Sequence, residues 1–126
     1  MILLDSDIAI DILRHHPPAM AWISSVQDNV CLPGIVVLEL YQGCHDKREV
    51  VGLRKQLAPF AILWPSDAAC NTALSNYAQA HLANALGLLD SLIAATALTY
   101  SVPLHTFNQK HFAAVPGLAT IQPYVR

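Results

Sequence analysis

The chain has 126 residues and a mass of 13.7 kDa, which fits one domain and leaves no room for a second. A hydrophobic fraction of 54% and a mean hydropathy of +0.39 support a substantial core and exclude a disordered chain. The net charge of −2 excludes a surface that attracts nucleic acid everywhere, while leaving room for a local basic strip.

Three cysteines, Cys31, Cys44 and Cys70, form no CxxC pair, and their odd number reads as reduced thiols in a cytoplasmic protein. The first residues, Met1-Ile2-Leu3-Leu4-Asp5, carry no basic stretch and meet an acid at once, unlike a signal peptide. The uncharged stretch from Ala68 to Leu89 contains Asn71, Asn76, Gln79, His81 and Asn84, too many polar groups for a membrane span.

In chain order, the apolar run Met1 to Leu4 predicts a buried strand. A helix follows from Asp7 to His15, with Ser6 as candidate cap and Asp11 and His15 four apart as an exposed pair. Pro17-Pro18 suits the first turn of a second helix, Ala19 to Val26. Val30 to Leu32 reads as a strand stopped by Pro33-Gly34. From Ile35 to Tyr41 periodicity admits strand or helix; Leu38, Glu39, Leu40 and a terminating Gly43 favour helix. Asp46 to Leu57 is amphipathic, and Phe60 to Trp64 reads as a third strand. Ser66 caps a long helix reaching Ala83, and Leu88 to Tyr100 forms a very apolar helix after Gly87. Val102 to Thr106 is a fourth strand, Asn108 to Phe112 a helical turn, and Thr120 to Gln122 an edge strand. Short apolar strands alternating with helices indicate an α/β fold with a parallel sheet covered on both faces. Trp22 and Trp64 are expected in the core.

Three acids stand out because their neighbours are apolar: Asp5, Glu39 and Asp90, none with Lys or Arg within four positions. Burying an ionised carboxylate costs several kcal/mol, so each needs a partner. Parallel sheets place their sites outside the carboxyl ends of the strands, where Asp5 lies. Carboxylates converging in one cleft all remain ionised only beside a divalent cation. Oxygen-only ligands select Mg²⁺ or Mn²⁺ over Zn²⁺, and the six histidines show no zinc-ligand spacing. Lys47, Arg48, Arg54 and Lys55 form two pairs seven apart on one helix, a stripe suited to a phosphate backbone or simply to solvent.

Four segments taken in order resemble the motifs of PIN-domain ribonucleases, in particular the VapC-like toxins of toxin–antitoxin pairs. They are Asp5-Ser6-Asp7, Leu38-Glu39-Leu40-Tyr41-Gln42-Gly43, Asp90-Ser91-Leu92-Ile93-Ala94-Ala95-Thr96-Ala97 and Thr106-Phe107-Asn108-Gln109-Lys110-His111-Phe112. Val115-Pro116-Gly117-Leu118 extends the likeness towards the end. The resemblance implies a three-layer α/β/α sandwich with a central parallel sheet of four to five strands, as a single PIN-like domain over residues 1–126. It further implies metal ligation and catalysis by Asp5, Glu39 and Asp90; by their own positions Asp7 and Ser91 either support these acids from behind or are an ordinary first-turn acid and part of a helix turn. Many members carry a fourth acid where this chain has Asn108 or His111; Asn108 offers only a weak, neutral oxygen. The implied activity is Mg²⁺-dependent hydrolysis of RNA to a 5′-phosphate and a 3′-hydroxyl. The implied partners are a cognate antitoxin and a second copy of the chain.

Two rivals come from other classes. Asp5-Ser6-Asp7 after a strand also mimics the nucleophile motif of haloacid-dehalogenase-like phosphatases, but that chemistry needs a later acidic pair, and none follows Asp90. The other is a PIN-fold binding module without catalysis, acting through a partner or DNA.

Overall fold

The computed structural model describes residues 1–83 and 85–126; Asn84, one of the polar groups that interrupt the apolar stretch, lies outside them. Five strands, β1 (Ile2–Leu4), β2 (Val30–Pro33), β3 (Ala61–Leu63), β4 (Leu104–His105) and β5 (Thr120–Ile121), form one sheet in the order β3-β2-β1-β4-β5. Every pairing is parallel. Leu3 sits opposite both Cys31 and Leu104, making β1 the central strand.

Successive side chains on a strand point to opposite faces. Leu3 and Leu4 are both 0% exposed, so the sheet is covered on both faces, which is why β1 reads as an unbroken apolar run. The covering helices are α1 (Ser6–Leu13), α2 (Pro17–Ser25), α3 (Gly34–Gln42), α4 (Lys47–Leu57), α5 (Asp67–Ala80) and α6 (Leu88–Tyr100), with the short α7 (Gln109–Phe112) before β5. The chain steps from β1 to β2 to β3 in one direction, then crosses back to β4 on the other side of β1. Right-handed crossovers running in opposite directions put their helices on opposite faces, giving the α/β/α sandwich.

α6 is the most deeply set helix, with Ser91 and the run Ile93 to Ala97 buried. Its alanines permit close approach, and α5 packs along it while burying none of its own residues fully. α6 ends on Ser101, in the left-handed conformation at φ 54°. The core joins Leu3, Leu4, Ile8, Leu32, Val36, Ile93, Leu104 and Phe112. Among the described residues no helix is long and apolar enough to cross a membrane. All three cysteines are free.

Three local expectations are corrected. The cap of α1 is Asp5 rather than Ser6: the Asp5 carboxylate accepts from the Ser6 amide at 2.7 Å, so the helix begins one residue earlier than its apolar face suggests. Asp11 does not pair with His15. α1 ends at Leu13, His15 turns away with φ 56°, and Asp11 binds Arg126 and Tyr124 instead. Trp64 is not a core residue: it lies just past the edge strand β3, is 52% exposed, and its indole lies against Gly34, where any side chain would collide with it.

Candidate active site

The strand order reverses beside β1, between β1 and β4, and in such sheets the crevice at the carboxyl ends of those two strands is where sites form. Asp5 follows β1 directly and Thr106 follows β4 directly. The ladder continues through them, with Asp5 N donating to the His105 carbonyl at 2.9 Å and Thr106 N to the Ile121 carbonyl at 2.9 Å.

Asp5 is 2% exposed and Thr106 0%. Thr106 Oγ1 donates to Asp5 Oδ2 at 2.7 Å and lies 3.4 Å from Asp7 Oδ2. The Phe107 amide donates to the same Asp7 oxygen at 2.9 Å, and the Asn108 amide donates to Thr106 Oγ1 at 2.9 Å. Asp7 Oδ1 accepts from the Ile8 amide at 2.7 Å. The turn after β4 and the first turn of α1 are thus stitched together through two carboxylates and one hydroxyl.

Burial raises the Asp5 pKa from 3.8 to about 6; the charges of Asp7 and Asp90 push it up as well, against the hydrogen bonds from Thr106 and Ser6. Burial also raises the pKa of Asp7, against hydrogen bonds from Phe107 and Ile8 and the charge of Arg126. Glu39 is raised by burial and by Asp90. Its Oε1 is buried and has no hydrogen-bond partner among the described residues. Asp90 stands in the first turn of α6, where the helix dipole favours an anion, and its Oδ2 accepts from the Gly87 amide at 3.2 Å.

Asp90 therefore acts electrostatically on both Asp5 and Glu39, and neither forms an ion pair among the described residues. Among the described residues no three His, Cys, Asp or Glu side chains are gathered at ligand spacing, so the acids meet as electrostatic neighbours rather than as a closed cage. The donor set still fits a hard divalent cation. It is all oxygen, carries uncompensated negative charge, and includes a buried carboxylate oxygen without a partner.

The other residues singled out in the sequence fall around this centre. The Asn108 side chain is exposed. Ser91 is buried, but its hydroxyl donates to the Gly87 carbonyl within its own helix at 3.2 Å and faces the α5–α6 seam. Lys47, Arg48, Arg54 and Lys55 are exposed on α4, and none forms an ion pair among the described residues. An open groove of about 280 Å³ runs beside Glu39 between α1, α3 and α4, walled by Ile10, Leu13, Leu40 and Leu53, with Arg14 in its lining.

Sequence reasoning passed over Thr106, although the residue stood inside a quoted motif. The usable signal was its place one residue past β4, level with Asp5 past β1, which only the strand order reveals.

A family model described as PIN domain matches residues 2–118. Ribonuclease VapC10 of Mycobacterium tuberculosis (strain ATCC 25618 / H37Rv) is 34% identical, over 93% of this chain and 96% of the relative. A chain of a toxin-antitoxin complex from Klebsiella pneumoniae superposes with a TM-score of 0.79 at 25% identity, covering 100% of both chains. A chain of FitAcB from Neisseria gonorrhoeae gives 0.73 at 25% identity, covering 98% of each. VapBC2 from Rickettsia felis, bound to a promoter DNA fragment, gives 0.79 at 21% identity, a likeness of fold alone. A five-stranded parallel sheet between helices, with acids at its reversal point, agrees with these likenesses, and the chain belongs to the PIN domain family.

Proposed function

We propose that the protein is a VapC-type toxin, a metal-dependent endoribonuclease that hydrolyses RNA phosphodiester bonds and is held in check by a cognate antitoxin. The observation that carries this reading is the buried Asp5 carboxylate at the end of the central strand, in the field of Asp7 and Asp90 and without an ion-pair partner among the described residues. A site built this way is unfavourable for the folded chain alone and makes sense as a place for Mg²⁺ or Mn²⁺.

Asp5, Glu39 and Asp90 would hold the ion, with Asn108 as a weak further oxygen. When bound, a divalent ion lowers the pKa of a water and offsets the charge growing on the phosphate oxygens. The chain supplies the rest. Asp7 and Thr106 fix the orientation of Asp5. Arg14 lines the groove beside Glu39, α4 contributes Leu53 to the same groove, and the basic residues exposed on α4 would attract the RNA backbone. An antitoxin partner is supported by the toxin-antitoxin complex from Klebsiella pneumoniae. Self-association is supported by the exposed Leu74 and Leu88, which face one cavity of about 120 Å³ on α5 and α6 with Cys70 and Tyr77.

Purified protein incubated with Mn²⁺ and a mixed RNA pool tests the reading. Cleavage should disappear on chelation and in Asp5→Asn or Asp90→Asn, with the circular dichroism spectrum retained. Well-folded protein that neither cleaves RNA nor binds Mn²⁺ overturns it in favour of a non-catalytic PIN-fold module.

A further inference from the structure

The single ion pair among the described residues lies outside the acidic centre and ties the end of the chain to α1. Arg126 Nε lies 3.0 Å from Asp11 Oδ2, and Nη2 lies 3.3 Å from Oδ1. Tyr124 OH donates to the same Asp11 Oδ2 at 2.8 Å. An isolated, half-exposed pair contributes little, but here a forked guanidinium and a phenol converge on one carboxylate.

The same two side chains enclose Phe107. The Arg126 guanidinium carbon lies 4.3 Å from the ring centroid, and the Tyr124 ring meets Phe107 edge-on with centroids 5.0 Å apart. Phe107 is the residue whose amide donates to Asp7, and it follows Thr106, whose hydroxyl donates to Asp5. Asp11 lies about one helical turn beyond Asp7 on α1. The end of the chain therefore grips both halves of the stitched region: α1 through Asp11, and the turn after β4 through Phe107.

We propose that Tyr124 and Arg126 are positioning residues, which clamp the turn 106–108 against α1 and so set Asp5 and Asp7 for the cleavage proposed above. The clamp rests on that nuclease reading for its purpose but not for its existence. Neither residue touches the acids that would hold metal; each grips Phe107 and Asp11, and Arg126 also acts on Asp7 through its charge. Small displacements of catalytic groups are enough to depress turnover, so a loosened clamp shows in kcat before it shows in substrate binding.

The test uses the full chain carrying Tyr124→Phe with Arg126→Gln, beside Arg126→Lys alone. In the metal-free protein, exchange of the Phe107 amide, followed by NMR, should accelerate at least about tenfold in the double variant while core amides of β1 and α6 keep their protection. With Mn²⁺ and RNA, kcat should fall about five- to tenfold at unchanged KM. Arg126→Lys, which keeps the charge on Asp11 but not the planar stack, should fall between the double variant and wild type. Wild-type protection of Phe107 in the double variant overturns the clamp. So does a uniform loss of protection across the chain, which marks general destabilisation. Faster Phe107 exchange with unchanged kcat overturns the positioning role. A wild-type protein that cleaves no RNA overturns the nuclease reading, and with it the clamp's catalytic purpose, while the exchange data still decide whether the clamp exists.

Discussion

Thr106 Oγ1 and Asp5 Oδ2 are 2.7 Å apart in space and 101 residues apart in sequence, and both residues are sealed from solvent. Thr106→Val keeps the shape of the side chain and removes the donor. Leaving a buried carboxylate without that bond should cost about 1–3 kcal/mol, read as a lower denaturation midpoint in urea. Losing a hydrogen bond to the charged form also raises the Asp5 pKa, so RNA cleavage should fall roughly tenfold and its pH profile should move upward. An unchanged profile in Thr106→Val would separate this hydroxyl from Asp5 function.

The metal-free protein should lose stability at Asp5 as pH rises. The group has a pKa of about 6 in the fold against an ordinary value of 3.8, so the folded state binds the proton more tightly than the unfolded one. Its contribution is fully favourable below the unfolded value and is lost as pH climbs from about 4 through 6. The whole loss is on the order of 3 kcal/mol. Asp11 titrates with the opposite sign: burial pushes its pKa up, but the hydrogen bonds from Arg126 and Tyr124 outweigh burial and bring it down. Comparison with Asp5→Asn isolates the effect: the stability of Asp5→Asn relative to wild type should rise between pH 4 and pH 7. Added Mg²⁺ should stabilise wild type at pH 7 and leave Asp5→Asn nearly unmoved. A difference that stays flat with pH refutes the assignment.

Neutralising Lys47, Arg48, Arg54 and Lys55 together as glutamines should leave α4 in place, because Asp46 caps it through the Glu49 amide and Leu53 and Leu57 anchor it. KM for RNA should rise while kcat holds. The dependence of binding on salt should become shallower, by about 0.7 in the logarithmic slope for each single-strand phosphate that the stripe no longer neutralises. A slope equal to that of wild type assigns the stripe to solvent.

Replacing Leu74 and Leu88 by lysine places charge on the exposed apolar faces of α5 and α6 without touching a buried side chain. Sedimentation should then show a monomer where the wild type shows a dimer. A dimer that survives both changes moves the interface elsewhere.

Much of the fold was legible because local signals agreed. The bounds of α6 and the cap Ser66 follow from composition and cap chemistry, and the apolar run of β1 reports a strand buried on both sides. Asp5, Glu39 and Asp90 stood out because an acid amid apolar neighbours is costly to leave alone. What stayed hidden depends on strand order. Nothing in the sequence says that Thr106 emerges next to Asp5, or that Asp11 answers Arg126 115 residues away rather than its local histidine. Trp64 misled because bulk and apolarity favour burial, whereas it emerges past the end of an edge strand, where half of it meets solvent.

The central place of β1 has a consequence for biosynthesis. β1 needs β2 on one side and β4 on the other, and β4 is completed only at His105, about a hundred residues later in synthesis. At about 5–20 residues per second, that interval is roughly 5–20 s. Throughout it Asp5 lacks its hydroxyl donor and the sheet lacks two strands. Under the nuclease reading proposed above, a polypeptide stopped short of Thr106 would lack the donor that orients Asp5.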